Sequence, residues 1–237
     1  MKKKHIKFID DNDLLGRMSL LTGDKMFNDL RKASDNHNAD FTDALSWGQL
    51  KSKRWLVTEL EKTGMELRTV FVVGGWYGTL SSMLFNSNMV IHYIRSFDID
   101  ENCQPIADAV NNSYVQNDWQ FKAITDDMFN INYDAHTWSC WSVKNNRNSF
   151  PITDRPNTII NTSCEHIQNF QKWYNLIPKG KLIVLQNNNY KSIDIPEHVN
   201  CVNSLEDFAE QTPMKEVLYE GVLKLNKYKR YMRIGIR

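Results

Sequence analysis

Glycines and carboxylates recur along the chain at places where they could together bind a nucleoside. Gly74, Gly75 and Gly78 directly follow the apolar run Val70–Val73. A glycine turn after a strand lets the backbone approach a ligand while its N–H groups point outward. Asp98 follows twenty residues after Gly78, and its carboxylate could accept two hydrogen bonds from a ribose diol. We therefore expect the turn and Asp98 to lie at one ligand site.

A pair of acids and two aromatic residues belong to the same predicted site. Asp126 and Asp127, in ITDDMF, follow a later apolar run and are predicted to reach an adenine amino group. Each acid alone would equally suit a helix N-cap, but the order of glycine turn, acid and acid favours binding. Trp76 stands between the glycines. We expect it to pack under the ligand or, together with Tyr77, against the N-terminal helices.

Alternating strand-like and helix-like segments must position these residues. Apolar runs at 70–73, 91–97, 120–124, 158–161 and 181–185 predict strands, and segments at 79–86, 103–111 and 164–176 predict helices between them. This alternation predicts a mainly parallel sheet with right-handed crossovers. A helix over 204–211 precedes runs at 216–225 and 229–236, whose short connection predicts a C-terminal antiparallel hairpin. The predicted fold class is α/β.

The first part of the chain is predicted to be helical. Breaks are expected at Gly16 and Gly23, and a helix is expected over 42–63. The length suits one domain. Within it we expect residues 1–64 to form an N-terminal helical cap and residues 65–237 to form the core.

The stretch 130–155 is too long for an ordinary connection between strands. We expect it either to contain an unrecognised helix or to act as a substrate lid, and a plain surface excursion remains the alternative. In a lid, Trp138 and Trp141 would offer stacking surfaces, and Lys144 and Arg147 would bind an anion.

Composition argues against several classes of protein. The chain has 29 Lys+Arg and 28 Asp+Glu, so its charge does not indicate nucleic acid or a membrane surface as a partner. No apolar run approaches the roughly 20 residues that span a bilayer. The four cysteines lie far apart, which suggests neither a zinc site nor a disulfide framework. We expect a soluble cytoplasmic protein with reduced thiols and no metal site.

Four segments resemble those of class I S-adenosylmethionine-dependent methyltransferases. They are VVGGWYG, FDID, TDDMF and IPKGKLIVLQ, and they occur in that family's order between Lys53 and Arg237. The resemblance implies a Rossmann-like, doubly wound, mainly parallel sheet with a C-terminal antiparallel hairpin, plus N-terminal helices. The chain departs from the family where Val72 replaces an acid and Trp76 replaces a glycine.

The resemblance also implies a cofactor and catalytic candidates. The cofactor is S-adenosyl-L-methionine, and the residues implied to bind it are Gly74, Gly75, Trp76, Gly78, Asp98, Asp126 and Asp127. Trp76 could stack on the sulfonium as a cation–π partner. The family's loop after the fourth strand faces the transferred methyl group. Here that loop is NTSCEHI, and it offers Asn161, Glu165 and His166 for positioning and proton transfer.

The implied function is methyl transfer to a small-molecule or macromolecular acceptor that the sequence does not identify. The segment QNNNY, residues 186–190, is predicted to bind a polar acceptor. Cys164 is expected to be a buried thiol. An NAD(P)-dependent oxidoreductase is an alternative, although the turn lacks G-x-G-x-x-G. Cleavage of the same cofactor, transfer of its aminopropyl group, and a non-catalytic binding module also remain open, and Val72 favours the last.

Overall fold

A seven-stranded sheet forms the centre of the computed structural model, which describes residues 11–37, 39–141, 148–191 and 195–237. The strands of this sheet and of a separate two-stranded sheet, formed by β4 and β5, are β1 Arg68–Val73, β2 Ile91–Asp98, β3 Phe121–Thr125, β4 His136–Trp141, β5 Ser149–Asp154, β6 Thr158–Asn161, β7 Leu182–Asn188, β8 Glu216–Lys224 and β9 Lys229–Ile236. The helices are α1 Asp11–Thr22, α2 Lys25–Asn36, α3 Phe41–Ala44, α4 Trp47–Lys62, α5 Thr79–Phe85, α6 Cys103–Val110, α7 Asn112–Val115, α8 Phe170–Leu176 and α9 Leu205–Gln211. Within these ranges, none of the helices is long and apolar enough to cross a membrane.

The strand order of the sheet is β3-β2-β1-β6-β7-β9-β8. The first five strands in this order are mutually parallel, whereas β9 runs antiparallel to both β7 and β8. The carboxyl ends of the parallel strands therefore meet at one edge, where α/β proteins bind their ligands. The predicted α/β class and its C-terminal antiparallel hairpin are confirmed.

β1 is the central strand of the five parallel strands and lies between two hydrophobic cores. Val70 and Val72 pack on one face, in a cluster that includes Leu60 of α4. Phe71 packs on the other face, in a cluster that includes Trp173 of α8. A strand covered on both faces needs a continuous apolar run rather than an alternating one. This requirement explains the sequence before the glycine turn.

The N-terminal helices differ in two places from the prediction. α1 runs through Gly16, so the break predicted there is wrong, whereas the break at Gly23 is confirmed by its φ of 72°. A Cβ on Gly16 would lie 3.4 Å from the Cδ of Arg31, so the missing side chain lets α1 and α2 pack closely. The helix predicted over 42–63 is divided at Ser46, whose hydroxyl caps the first turn of α4.

The stretch 130–155 contains β4 and β5, which form a two-stranded antiparallel sheet. Arg95 of β2 holds this pair. Its Nε donates to Oδ2 of Asp154 at 2.6 Å, and its guanidinium lies 4.8 Å from the ring centre of Trp138. The element found in the described residues of this stretch is therefore a strand pair, and the helix expected as one alternative does not occur among them.

The substrate lid predicted in the same stretch gains no support from its described residues. Trp138 is buried, and Trp141 packs edge to face against Trp119. Neither tryptophan lines either of the two cavities that lie at the carboxyl edge of the sheet and are described below. Lys144 and Arg147 lie outside the described residues.

The helix predicted over 164–176 is shorter in the structure. A 3-10 turn covers Cys164–His166, and α8 begins only at Phe170. Asn200 donates its backbone N–H to the carbonyl oxygen of Glu165 at 2.8 Å and its side-chain amide to the preceding carbonyl oxygen at 3.1 Å. Because these carbonyl groups are bound by Asn200, they do not form the hydrogen bonds of an α-helix.

Candidate active site

A crevice of about 630 Å³ lies at the carboxyl ends of β1, β2, β3 and β6. The predicted site residues that line it are Gly74, Trp76, Asp98, Asp126, Asp127, Asn161 and His166. Its apolar lining includes Val73, Phe97, Ile99, Met128, Phe129 and Ile167. A crevice with apolar walls and a few polar groups at strand ends suits a small organic ligand.

Asp98 ends β2 and fixes the glycine turn. Its Oδ2 accepts the backbone N–H of Trp76 at 2.8 Å, and its Oδ1 accepts that of Asp100 at 3.2 Å. An ionised carboxylate offers about four acceptor positions. Both oxygens can therefore still accept hydrogen bonds from a ligand diol.

The backbone N–H groups of the turn are bonded within the protein. Gly74 and Gly75 both donate to the carbonyl oxygen of Phe97 at 2.9 Å, and Gly78 donates to the carbonyl oxygen of Gly75 at 3.0 Å. The expectation that these groups point toward the ligand is wrong. The reason is that the carbonyl oxygen of Phe97 in β2 accepts the first two N–H groups and the turn itself accepts the third, so the glycine N–H groups are not free to bind a ligand.

The three glycines of the turn have different local requirements. A Cβ on Gly75 would lie 1.9 Å from a serine oxygen of β2, and a Cβ on Gly78 would lie 2.6 Å from Nδ2 of Asn111. At Gly74, where φ is +69°, the nearest atom to a Cβ is 3.8 Å away, on Ser163. Gly75 and Gly78 thus permit close packing beneath the turn, whereas Gly74 leaves room in the crevice.

Trp76 and Tyr77 divide between them the two roles predicted for the pair. Trp76 lines the crevice, has a φ of 47°, and stacks on Tyr77 with ring centres 4.9 Å apart. Tyr77 contacts Phe41 of α3 edge to face at 5.5 Å. Tyr77 therefore packs against the N-terminal helices, and Trp76 faces the ligand space.

Asp126 and Asp127 follow β3 and contribute to local structure as well as to the crevice. Oδ1 of Asp126 accepts the N–H of Asp127 at 2.8 Å, and Oδ1 of Asp127 accepts the N–H of Phe129 at 2.9 Å. Oδ2 of Asp126 lies 3.8 Å from Nε2 of His136. Burial lowers the pKa of His136, and the charge of Asp126 opposes that shift. Both carboxylates retain acceptor positions for a ligand amino group.

Asn161 ends β6 with an unused hydrogen-bond donor. Its Oδ1 accepts the N–H of Ser163 at 2.8 Å, and this bond fixes which way the amide faces. Within the described part of the chain, its buried Nδ2 has no partner. A buried donor without a partner costs about 1–3 kcal/mol. A ligand oxygen that accepts from Asn161 would remove this cost.

A second space of about 630 Å³ adjoins the crevice, and we call it the adjoining pocket. Asp43, Gln49, Ser163 and His166 line both spaces. The other main side chains around the pocket are Trp47, Lys51, Glu165, Asn188, Tyr190, His198, Lys224, Lys227, Tyr228 and Arg230. Molecules held in the two spaces would therefore meet beside His166.

Glu165 is buried in the wall of the adjoining pocket and forms an ion pair. Its Oε1 accepts from Nδ2 of Asn188 at 2.5 Å and from Nη2 of Arg230 at 3.1 Å. Its Oε2 is buried without a partner among the described residues. One oxygen is therefore committed to the structure, and the other is available to a ligand.

His166 lies at the junction of the two spaces, with one part of its side chain in solvent and the ring partly covered by the protein. Its ring packs edge to face against His198, with ring centres 4.7 Å apart. Partial burial of the ring lowers the pKa of His166, the charge of Glu165 opposes this shift, and His198 and Arg230 add to it. A lowered pKa favours the neutral imidazole at pH 7, which is the form that accepts a proton.

Comparisons with known proteins identify the fold. No protein-family model and no curated protein matches the chain. Magnesium protoporphyrin IX methyltransferase from Synechocystis PCC 6803, solved with bound SAM, matches 98% of this chain over 99% of its own, at 14% identity and a TM-score of 0.56. N-methyltransferase NodS from Bradyrhizobium japonicum WM9, solved with S-adenosyl-L-homocysteine, matches 90% of this chain over 99% of its own, at 7% identity and a TM-score of 0.56. The chain has the class I methyltransferase fold.

A third solved structure with the methyltransferase fold matches this chain with the same TM-score. The putative sarcosine dimethylglycine methyltransferase from Galdieria sulphuraria matches 79% of this chain over 86% of its own, at 10% identity and a TM-score of 0.56. Within this fold, Val72 is only 2% exposed and belongs to the hydrophobic core. Its replacement of the family's acid therefore leaves no polar group at that position.

Several residues that line the adjoining pocket of this methyltransferase fold are not predicted from the sequence. Trp47, His198, Tyr228 and Arg230 come from segments far apart in the sequence, and no motif joins them. The predicted substrate segment 186–190 contributes only its third and fifth residues to the lining. Its first two residues are buried and hydrogen-bonded within the protein.

Proposed function

We propose that the protein is an S-adenosyl-L-methionine-dependent methyltransferase that holds its cofactor in the crevice and its methyl acceptor in the adjoining pocket. The observation that carries this proposal is the wall shared by the two spaces, where His166 faces both. The fold supports the same conclusion, because two of the structural matches were solved with SAM or S-adenosyl-L-homocysteine.

The groups that line the crevice fit this cofactor. Asp98 has acceptor positions left for the ribose hydroxyls, and Asp126 and Asp127 have them for the adenine amino group. The unpartnered Nδ2 of Asn161 suits an anionic oxygen, which the amino-acid end of the cofactor provides as a carboxylate. Gly74 leaves room beside Asn161's neighbour Ser163.

The chain's own residues would act mainly by positioning. The cofactor supplies an electrophilic methyl group on a sulfonium. Its acceptor needs alignment in the adjoining pocket and a receiver for any proton that the nucleophile loses. His166 and His198 are the imidazoles at the junction, and the lowered pKa of His166 favours the neutral ring, which can receive this proton while its acceptor nitrogen carries no other ligand. Glu165 would orient this region through its bonds to Asn188 and Arg230.

A covalent role for Cys164 does not fit this site. Burial raises the pKa of the Cys164 thiol well above its ordinary value, and the nearby charge of Glu165 adds to that shift. The thiol is fully buried, as the sequence predicts. All four cysteines of the chain are free, which supports the proposed cytoplasmic location.

The acceptor would be a small molecule or the protruding group of a macromolecule. The pocket offers the aromatic side chains of Trp47, Tyr190 and Tyr228 next to several lysines and Arg230. Aromatic faces bind planar or cationic groups, and the basic side chains bind anions. This combination does not favour one acceptor over another, so we propose the reaction class alone.

Calorimetry of the purified protein tests the proposal. We expect saturable binding of S-adenosyl-L-methionine and S-adenosyl-L-homocysteine at one equivalent, and no heat from NAD. Binding of NAD with no response to either sulfur compound would instead indicate an oxidoreductase. Binding of the sulfur compounds without methylated product, across a broad panel of amine and hydroxyl acceptors, would favour the non-catalytic alternative.

A further inference from the structure

Two histidines and a glutamate converge in the wall of the adjoining pocket. Glu165 and His166 lie in the 3-10 turn after β6, and His198 lies in the connection between β7 and α9. One potential ligand atom from each of the three side chains lies within 4.8 Å of the other two. Imidazole nitrogens and a carboxylate oxygen together are a typical ligand set for zinc.

A hydrogen bond to the backbone fixes the tautomer of His198. Its Nδ1 lies 2.6 Å from the carbonyl oxygen of Tyr190. Because a carbonyl oxygen can only accept, Nδ1 must carry the hydrogen, and the neutral ring then has its lone pair on Nε2. Ligating histidines almost always donate their second ring N–H to a carbonyl or carboxylate in this way.

Glu165 offers an oxygen that the protein does not use. Its side chain is about 3% exposed, and Oε2 has no hydrogen-bond partner among the described residues. Asn188 and Arg230 hold the other oxygen. Outer hydrogen bonds of this kind orient the carboxylates that ligate metals. A carboxylate oxygen of Glu165 belongs to the same cluster as the two imidazoles.

We propose that Glu165, His166 and His198 bind a divalent transition-metal ion of the zinc class. Two nitrogen ligands favour zinc and similar ions over magnesium and calcium, which prefer oxygen. Zinc bonds of about 2.0–2.2 Å in a tetrahedral arrangement place ligand atoms about 3.4 Å apart. Starting from separations of at most 4.8 Å, the three ligand atoms would therefore draw together by up to about 1.4 Å when the ion binds.

The surrounding charges limit the affinity of this site. Arg230 pairs with Glu165, and Lys53 lies close enough to Arg230 for the two cations to repel each other. These positive groups oppose a bound cation, so binding is expected to be reversible and removable by a chelator. Three protein ligands also leave a fourth position to water. That an acceptor oxygen takes this position during catalysis rests on the proposed function.

Zinc calorimetry tests the site without cofactor or acceptor. The full chain would be purified without a polyhistidine tag and freed of metal with a chelator. We expect one equivalent of zinc to bind, and we expect His166→Ala and His198→Ala each to weaken binding at least about tenfold. His92→Ala, which changes an exposed histidine on β2, should bind zinc like the wild type. No saturable binding to the wild type, or unchanged binding to both variants, overturns the proposal.

Cobalt spectroscopy distinguishes this ligand set from one that includes a thiol. Cys201 is the nearby alternative, because its Sγ lies 3.4 Å from the same Tyr190 carbonyl oxygen. We expect visible cobalt bands without a sulfur charge-transfer band, and their loss in His198→Ala. A sulfur charge-transfer band would contradict the proposed ligands. Because neither experiment contains cofactor, failure of the methyltransferase proposal would leave both results unchanged.

Discussion

The backbone N–H of Trp76 donates to Oδ2 of Asp98 at 2.8 Å, and this bond joins the glycine turn to the end of β2. Trp76 has a φ of 47°, a conformation that a residue with a side chain seldom adopts. The carboxylate therefore holds the turn in an uncommon shape and also presents acceptor positions to the crevice. One residue connects the shape of the turn to the predicted recognition of the ribose.

Replacing Asp98 should weaken the binding of every adenosyl ligand. Hydrogen bonds to a charged group contribute about 1.5–3 kcal/mol each, so Asp98→Asn should weaken S-adenosyl-L-homocysteine binding about tenfold to a hundredfold. Calorimetry measures the change. Asp100→Asn is the matched control, because Asp100 accepts the N–H of Asn102 at the start of α6 and does not line the crevice. Equal affinities in the two variants would remove Asp98 from the site.

Replacing Asn161 should affect only ligands that carry the amino-acid end of the cofactor. Asn161→Asp keeps the oxygen that accepts from Ser163 but exchanges the free donor for a negative charge. Binding of S-adenosyl-L-homocysteine should weaken at least about tenfold, which corresponds to about 1.4 kcal/mol.

Methylthioadenosine, which lacks the carboxylate, provides the internal comparison for Asn161. Its affinity should be the same for the wild type and for Asn161→Asp, whereas Asp98→Asn should weaken both ligands. Equal losses for the two ligands in Asn161→Asp would place its amide near the nucleoside instead.

The buried pair of Glu165 and Arg230 should show strong coupling in a double-mutant cycle. Their side chains are 3% and 6% exposed, so removing one partner leaves the other charge buried. Breaking such a pair costs about 3–5 kcal/mol. We expect Glu165→Gln and Arg230→Met each to lower the free energy of unfolding by several kcal/mol. The double variant should lose less free energy of unfolding than the sum of the losses in the two single variants. Urea denaturation measures all four proteins, and additive losses would show that the pair does not interact.

The buried amine of Lys53 should make stability depend on pH. Burial lowers the pKa of Lys53 from 10.5 to about 8, Arg230 adds to the shift, and Asp43 opposes it. Between these two values the unfolded chain binds a proton that the folded protein does not, so the stability of the folded state rises with pH. In the folded protein, Nζ of Lys53 donates a hydrogen bond to Oε1 of Gln49 at 2.6 Å.

Lys53→Met isolates this effect, because all other titrating groups are shared with the wild type. Relative to the variant, the wild type should gain up to about 3 kcal/mol in the free energy of unfolding between pH 8 and 10.5. Denaturation at several pH values measures the difference. A constant difference across this range would mean that Lys53 titrates normally.

The parallel strands could be predicted from the sequence, whereas β4 and β5 could not. β1 and β7 are covered on both faces, so each contains a run of four consecutive apolar residues that is recognisable in the local sequence. β4 alternates buried and exposed positions with His, Ser and Cys among them, which weakens the pattern. Its pairing depends on Arg95, a residue of β2 that contacts both strands. Such long-range support is not visible in a local segment.

The crevice was more predictable than the adjoining pocket for a related reason. Asp98 and Asn161 end strands, and the parallel sheet places strand ends together. The direction of the glycine N–H groups depended on the distance to β2, which the sequence does not contain. Arg230 and His198 reach the pocket through the antiparallel insertion of β9 and through a connecting loop. No spacing rule relates these positions to His166.

The insertion of β9 between β7 and β8 also has a consequence for biosynthesis. The crevice uses no residue beyond Gln168, whereas the adjoining pocket needs side chains as far along the chain as Arg230. A ribosome therefore delivers the cofactor-binding groups well before the groups around the acceptor. Until β9 emerges, β7 has an open edge, because its ladder partners on that side are residues 230–236, and its first four residues are apolar. An open apolar edge is prone to intermolecular pairing, so nascent chains paused in this interval are the form of the protein most exposed to aggregation.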